Sequence, residues 1–494
     1  MTDRSERSVA RVDTGIEFSL EVNQNRYLPA GGTQMHAIVS VTGRWATGED
    51  GRPVRPDPPR LAEVLVIDCS GSMADPPTKI AAARRATAAA IDVLPDGVRF
   101  AVVEGTHQAR VVYPPEPGLA TASAETRQRA KAVVARLAAA GGTAMGSWLA
   151  AARDLLPRQS STICHTLLLT DGINQHETEA ELDRVLRTCA GRFTCDALGV
   201  GDGWRPRDLL RIAAALSGTA EAVRRPAELE AGFRETIRAA TAKLQPDVRI
   251  RLQTLPYARV AFVKQARPAV MDLTEYAERV DDRTVEFAAG AWGVERREYH
   301  LCLDVTAPDA VLDQDRLAAR VDLLVDGEPR TAPATVLVNW TDDLVRSARL
   351  DPSVSQVTGQ EQVRQAIDAG CDAYDRGDLT GAHTQWARAV ELATATRDEA
   401  ALEQLRYLVE IEPDGVVRLR PNLSRTDVIV SSVMSSQVMF GDDPPAPSAP
   451  PAPRQVDADR LCGNCGWWSP GDATYCEQCS HDLDDRGPIG RAEA

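Results

Sequence analysis

Five side chains in this chain have the types and spacing to hold a hard cation. Asp68, Ser70 and Ser72 stand in the run Asp68-Cys69-Ser70-Gly71-Ser72, Thr143 follows Gly141-Gly142, and Asp171 lies in Thr170-Asp171-Gly172. The first run closes the apolar stretch LAEVLVI, which puts it at the carboxyl edge of a central strand, where α/β sheets hold their ligands. Alternation there points Asp68, Ser70 and Ser72 to one side. One carboxylate and two hydroxyls supply half of an octahedral shell for Mg²⁺ and leave it short of negative charge, so an acidic group from a partner would complete it. The glycines before Thr143 permit close backbone approach. Asp171 ends a second strand beside Asp68 and can contribute directly or through a coordinated water. The plainer alternative is a Ser-rich turn that caps the following helix.

A second constellation is Cys462, Cys465, Cys476 and Cys479, two C-x-x-C pairs with the separation of a four-cysteine zinc ribbon. A redox dithiol is the other reading, but it expects a βαβ context that Trp467, Trp468 and Pro470 do not provide. So small a module lacks a core and needs its metal to fold. Trp467 and Trp468 are expected over the knuckles, and His481 on the surface. Cys69, Cys164, Cys189, Cys195, Cys302 and Cys371 are scattered, several inside apolar runs, and read as small buried hydrophobes. Paired knuckles beside reduced thiols suit a cytoplasmic protein. His107, His165 and His176 have no partners at nucleophile or zinc spacing, and Ser70 has no evident base. No catalytic triad, phosphate loop or dinucleotide fingerprint occurs, so no catalytic residue and no organic cofactor is expected.

These residues need a scaffold, and the hydrophobic pattern predicts one. Residues 1–60 alternate apolar and polar positions through Ile16, Phe18, Leu20 and Val22 and again through Met35, Ala37, Val39 and Val41, giving two half-buried strands. Residues 61–243 alternate strands and helices, the signature of a doubly wound α/β domain. Residues 244–346 return to strands and read as a β-sandwich. Two strands cannot stand alone, so the N-terminal pair is expected to join this later set, with the α/β domain inserted between. Residues 353–412 are helical, and Tyr374, Gly377, Ala382, Trp386 and Ala389 fit two antiparallel helices meeting at a turn, resembling a tetratricopeptide hairpin. About three such units are needed for a solenoid, so a single hairpin docked on the body is the better reading. Residues 413–458 are ambiguous up to a Pro-rich linker, with the run Ser431–Ser436 read as a strand or flexible tail. The cysteine module, 459–484, is expected to be tethered rather than packed.

The 494-residue chain carries 56 Lys and Arg against 71 Asp and Glu, a formal charge of −15. Nucleic acid and anionic membrane need clustered basic groups, and the cysteine segment from Leu461 to Leu483 has none. Hydrophobic residues at 43% are enough to bury a core. The N-terminus has no apolar leader, and no run is long enough for a membrane helix.

The three oxygen-bearing loops together resemble the metal-ion-dependent adhesion site of von Willebrand factor A domains, over roughly Leu61 to Lys243. That resemblance implies Mg²⁺ or Mn²⁺ held by Asp68, Ser70, Ser72, Thr143 and Asp171, and a non-enzymatic role in binding protein partners through the metal. It also implies a bacterial setting beside Ser/Thr kinases, phosphatases, phosphopeptide-binding domains or AAA-type ATPases. The expected function is thus a cytosolic scaffold with Mg²⁺ or Mn²⁺ in the α/β domain and Zn²⁺ at the tail. Two other classes remain open: a metal-dependent hydrolase or transferase, which needs a base that the sequence does not show, and a nucleic-acid module built on the ribbon.

Overall fold

In a computed structural model the residues described are 15–47, 52, 60–158, 161–306, 312–412 and 415–437, together with 460–462, 464, 468–469, 475–476 and 483. The alternating N-terminal segments form β1 (Ile16–Gln24), β2 (Tyr27–Pro29) and β3 (Gln34–Trp45). β1 and β3 pair antiparallel, with Val22 opposite Val39.

The α/β unit runs β4 (Arg60–Asp68), α1 (Thr78–Val93), β5 (Arg99–Gly105), β6 (Ala109–Tyr113), β7 (Ala120–Thr121), α2 (Ala124–Val134) and α3 (Met145–Leu155). It continues with β8 (Thr162–Thr170), α4 (Glu179–Cys189), β9 (Thr194–Val200), α5 (Pro206–Ala215), β10 (Ala220–Val223) and α6 (Leu229–Thr241). Its sheet has the order β10-β9-β8-β4-β5-β6. Neighbours in this order are parallel except β5 and β6, and β7 also pairs antiparallel with β5. β4 and β8 are buried along nearly their whole length because helices cover both faces, leaving one core on each side of the sheet. The helical pattern predicts α2 over residues 124–139, but it ends at Val134. Beyond Val134 the chain is drawn away: Arg84 Nε donates to Leu137 O at 2.8 Å, and Ala140 N donates to Cys69 O at 2.7 Å. Tertiary hydrogen bonds here override the high helix propensity of the alanines.

The next strands are β11 (Gln245–Thr254), β12 (Ala258–Arg267), β13 (Met271–Asp272), β14 (Glu278–Arg279), β15 (Thr284–Trp292), β16 (Arg296–Val305), β17 (Arg316–Val325), β18 (Glu328–Pro329) and β19 (Ala334–Thr341). They build two sheets, and the N-terminal strands enter both. β3 pairs with β16 in the order β1-β3-β16-β12-β13, while β2 runs beside β19 at the end of β14-β15-β11-β17-β19-β2. The sheets share one core, in which Met35, Val39 and Val41 meet Ile250, Phe287, Leu323 and Trp340. Lys243, just after α6, is tied to Glu295 by bonds of 2.8 and 2.9 Å, and Arg297 reaches the same carboxylate at 2.9 Å. Burial opposes the charge on Glu295, but the two cations hold its carboxyl down at about 2.

After α7 (Leu344–Ser347), α8 (Pro352–Asp375) and α9 (Leu379–Thr396) lie antiparallel across a turn in which Gly377 has φ +78°. Trp386 fills the interface and its indole donates to Ile367 O at 3.2 Å. A Cβ on Gly370 would come within 2.3 Å of that ring nitrogen, so only glycine fits there. α8 also docks on the outer side of the first β sheet through Val354 and Val357 against Ile38 and Ala266.

The chain continues through α10 (Glu399–Leu405), β20 (Val409–Ile411) and β21 (Val417–Leu419) to α11 (Arg425–Met434). This last helix corrects the expectation of a strand or tail at Ser431–Ser436. Ser424 and Asp427 form a reciprocal capping box. Val428 faces the helical core while Ile429 and Val433 enter the α/β core, so burial on two sides overrides the strand preference of a Val-rich run. The tail supplies a second correction. β22 (Arg460–Leu461) and β23 (Trp468–Ser469) form a short hairpin. Tyr475 packs against Leu255, Leu317 and Leu337, so the cysteine segment touches the β unit.

Candidate metal site

The end of β4 delivers Asp68, which is fully buried. Its Oδ1 accepts from the Ser70 amide at 2.7 Å and its Oδ2 from the Thr170 hydroxyl at 2.6 Å. Burial pushes the carboxyl up to about 6, against the pull of these two bonds. The end of β8 delivers Asp171, also without exposure. Ser72 Oγ donates to Asp171 Oδ1 at 2.6 Å and lies 2.9 Å from Ser70 Oγ. The Gly141-Gly142-Thr143 loop is laced to the first loop by Gly71 N donating to Gly141 O at 2.9 Å. Glu177 fixes the start of α3, accepting from Gly146 N and Ser147 N at 2.7 Å each. It supplies the cap that Ala144 cannot.

The three loops converge at Gly172. A Cβ built there would sit 3.1 Å from Thr143 Oγ1, 3.2 Å from Ser72 Oγ and 3.7 Å from Asp68 Oδ2. Oxygens of the first two loops therefore border one small space that the glycine of the third leaves clear. The five side chains singled out by sequence are brought together, and as a set of carboxylates and hydroxyls they fit a hard divalent ion such as Mg²⁺ or Mn²⁺.

Several residues of the site escaped sequence reasoning. Thr170 orients Asp68, and Lys79 Nζ donates to Asp171 Oδ2 at 2.8 Å. His176 accepts from Thr143 N through Nδ1 at 3.3 Å, and its ring stands 6.2 Å from that of His107. The only sequence signal for Thr170 was its place before Asp171; for Lys79 there was none beyond its charge. The Cys69 thiol faces the core and burial pushes it up to about 12, which keeps it protonated and unreactive.

His165 has partners that its spacing hid. Nδ1 lies 2.7 Å from Glu63 Oε2 and Nε2 lies 3.0 Å from Asp196 Oδ2. These come from β4 and β9, flanking β8, and they stand near the opposite end of the sheet, ~20 Å from Asp171 by strand rise. This buried ion cluster is structural in its placement, away from the oxygen loops. In the tail, Cys462 and Cys476 are buried, whereas Cys465 and Cys479 lie outside the described residues, as do Trp467 and His481.

Comparison with known proteins settles the family. The profile for the von Willebrand factor type A domain matches residues 63–222, which span all three oxygen-bearing loops. A solved structure, von Willebrand factor type A from Catenulispora acidiphila, is 38% identical and aligns over 86% of this chain and 97% of its own, with a TM-score of 0.78. This chain belongs to the von Willebrand factor type A family. So broad an alignment must reach past the α/β unit into the β sheets and helices. The ArnB paralog VWA2 from Sulfolobus acidocaldarius is 12% identical and covers 85% of this chain and 98% of its own at a TM-score of 0.50, a likeness of fold. An uncharacterized protein of Synechocystis sp. is 31% identical over 221 residues, and this chain spans about half of it, 49%. Among the described residues no helix is long and apolar enough to cross a membrane.

Proposed function

We propose that this von Willebrand factor type A protein binds, without catalysing a reaction, an acidic side chain of a protein partner through Mg²⁺ or Mn²⁺ held by Asp68, Ser70, Ser72, Thr143 and Asp171. The convergence of three loops on Gly172 carries this reading. A divalent ion there would offer a positive centre whose remaining coordination positions suit an oxygen anion. The residues of the chain do the rest: Thr170 and the Ser70 amide aim Asp68, Ser72 bridges to Asp171, and the Gly141-Gly142 loop presents Thr143. Ser70 sits beside Ser72 and Asp68, with no imidazole bonded to its hydroxyl among the described contacts; this favours binding over a hydrolase or transferase.

In this proposal the two β sheets form a sandwich that frames the inserted α/β domain, the α8–α9 pair is a tetratricopeptide-like hairpin, and Cys462, Cys465, Cys476 and Cys479 hold Zn²⁺ as a ribbon. The protein works in the cytosol of a bacterium as a scaffold in a signalling or ATPase-associated assembly, away from nucleic acid and membrane. Kinases, phosphatases, phosphopeptide-binding proteins and AAA-type ATPases are the partners that the family resemblance suggests.

Calorimetric titration with Mn²⁺ tests the core of this. The full chain should bind one ion per chain, and Asp68→Ala should reduce the affinity more than about tenfold, equivalent to ~1.4 kcal/mol. Equal binding by both proteins would remove the metal site. Pull-downs from a native bacterial extract with and without EDTA test the partner class: EDTA-sensitive protein capture is expected. Zinc analysis of the wild type and Cys476→Ser tests the tail, with a lower content expected in the variant.

A further inference from the structure

Lys79 is the charged residue at this site that the family signature did not point to. Its Nζ lies 2.8 Å from Asp171 Oδ2, with 12% of the lysine side chain exposed and none of the aspartate. Lys79 occupies the first turn of α1, where the helix dipole disfavours a cation, so helix stability does not account for its place. Its aliphatic stem runs beside Gly201, where a Cβ would meet Lys79 Cε at 3.4 Å and φ is +77°. The side chain is thus led past a glycine onto a buried carboxylate that also belongs to the proposed metal shell.

Building on the metal-site reading above, we propose that Lys79 is a built-in cation that opposes a divalent ion at Asp171 and so couples metal binding to capture of an anionic ligand. Charge balance gives the reason. Ionised Asp68 and Asp171 carry two negative charges, and Lys79 cancels one. With a divalent ion added, the cluster is one positive charge in excess, and a carboxylate from a partner neutralises it. Without Lys79 the ion alone balances the two aspartates, and a carboxylate would drive the cluster into negative excess. Lys79 therefore weakens metal binding by itself and strengthens the hold of the loaded site on an anion. The coupling is reciprocal: the anion must tighten the metal by the same factor. The partner group this selects is a carboxylate rather than a neutral amide or hydroxyl.

The test uses the full-length chain, Mn²⁺ as the metal and acetate as the probe anion, with calorimetry in sodium chloride and in sodium acetate of equal ionic strength. In chloride, Lys79→Met should bind Mn²⁺ about tenfold tighter than wild type, while Lys79→Arg should stay near wild type. Acetate should tighten Mn²⁺ binding by the wild type and have little effect on Lys79→Met. Lys79→Gln serves as the neutral variant if Lys79→Met does not fold, and the acetate effect on the wild type needs no variant. Should acetate leave wild-type binding unchanged, or a folded neutral variant bind no tighter, the role of Lys79 is lost and the metal site stands. Absence of Mn²⁺ binding by the wild type, or binding indifferent to Asp68→Ala, sinks the metal site and this proposal together.

Discussion

At the scale of residues, the site depends on what is left out at position 172. Gly172→Ala would put a methyl group 3.1 Å from Thr143 Oγ1 and 3.2 Å from Ser72 Oγ. It should lower Mn²⁺ affinity more than about tenfold while changing stability little, since nothing is removed from the core; calorimetry with a melting curve separates the two. His165 gives a pH-dependent expectation. Burial alone would lower its imidazole, but the Glu63 and Asp196 carboxylates outweigh that and hold it up at about 10, against 6.5 in a free chain. A raised pKa stabilises the fold fully below pH 6.5, and the contribution falls away as the pH rises from there through 10. Removing one partner of a buried ion cluster costs about 3–5 kcal/mol. His165→Gln should therefore be much less stable than wild type at pH 6, and the gap should narrow towards pH 10 in urea titrations across that range. A constant gap would show that the imidazole carries no charge.

At the scale of elements, hydrophobic period and strand ends were legible and fine boundaries were not. LAEVLVI and HTLLLT became β4 and β8 because strands covered on both faces are mostly apolar, with Glu63 and His165 buried against each other. The end of α2 and the identity of α11 were not legible, because tertiary hydrogen bonds in one case and two-sided burial in the other decided against local preference. The α8–α9 pair rests on Trp386, fully buried opposite Gly370. Trp386→Ala should cost about 3–5 kcal/mol, read as a lower urea midpoint for the helical segment followed by proteolysis or circular dichroism. Mn²⁺ binding should persist, since the site lies in another core.

At the scale of the whole molecule, α11 ties the helical segment to the α/β unit. Arg224 Nη1 bonds Asp427 Oδ1 at 2.7 Å, the Gln437 side chain donates to Ala220 O at 3.1 Å, and Ile429 and Val433 lie in the α/β core. Ile429→Ala should cost about 2–5 kcal/mol and lower the melting temperature of the α/β unit, although residue 429 stands far outside it in sequence. Unchanged melting of that unit would show that the helix is only laid on its surface. The ion group Lys243, Glu295 and Arg297 makes a similar tie from α6 to the β sheets.

Sequence alone picked out five oxygen-bearing side chains at three strand ends and loops, and the alternation of strand and helix in the α/β unit. Each depends on local signals: a turn at a strand end, a period of two or of 3.6, a glycine where backbones must approach. Only the tertiary structure decided what meets what. Glu63, His165 and Asp196 sit on three neighbouring strands, Lys79 comes from a helix to reach Asp171, and Ile429 crosses to a core built some two hundred residues earlier. Spacing along the chain cannot show such pairs, because folding places them by burial and charge rather than by sequence distance. The oxygen loops were legible because their chemistry demands fixed residue types at strand ends, whereas the cation beside them was set by packing.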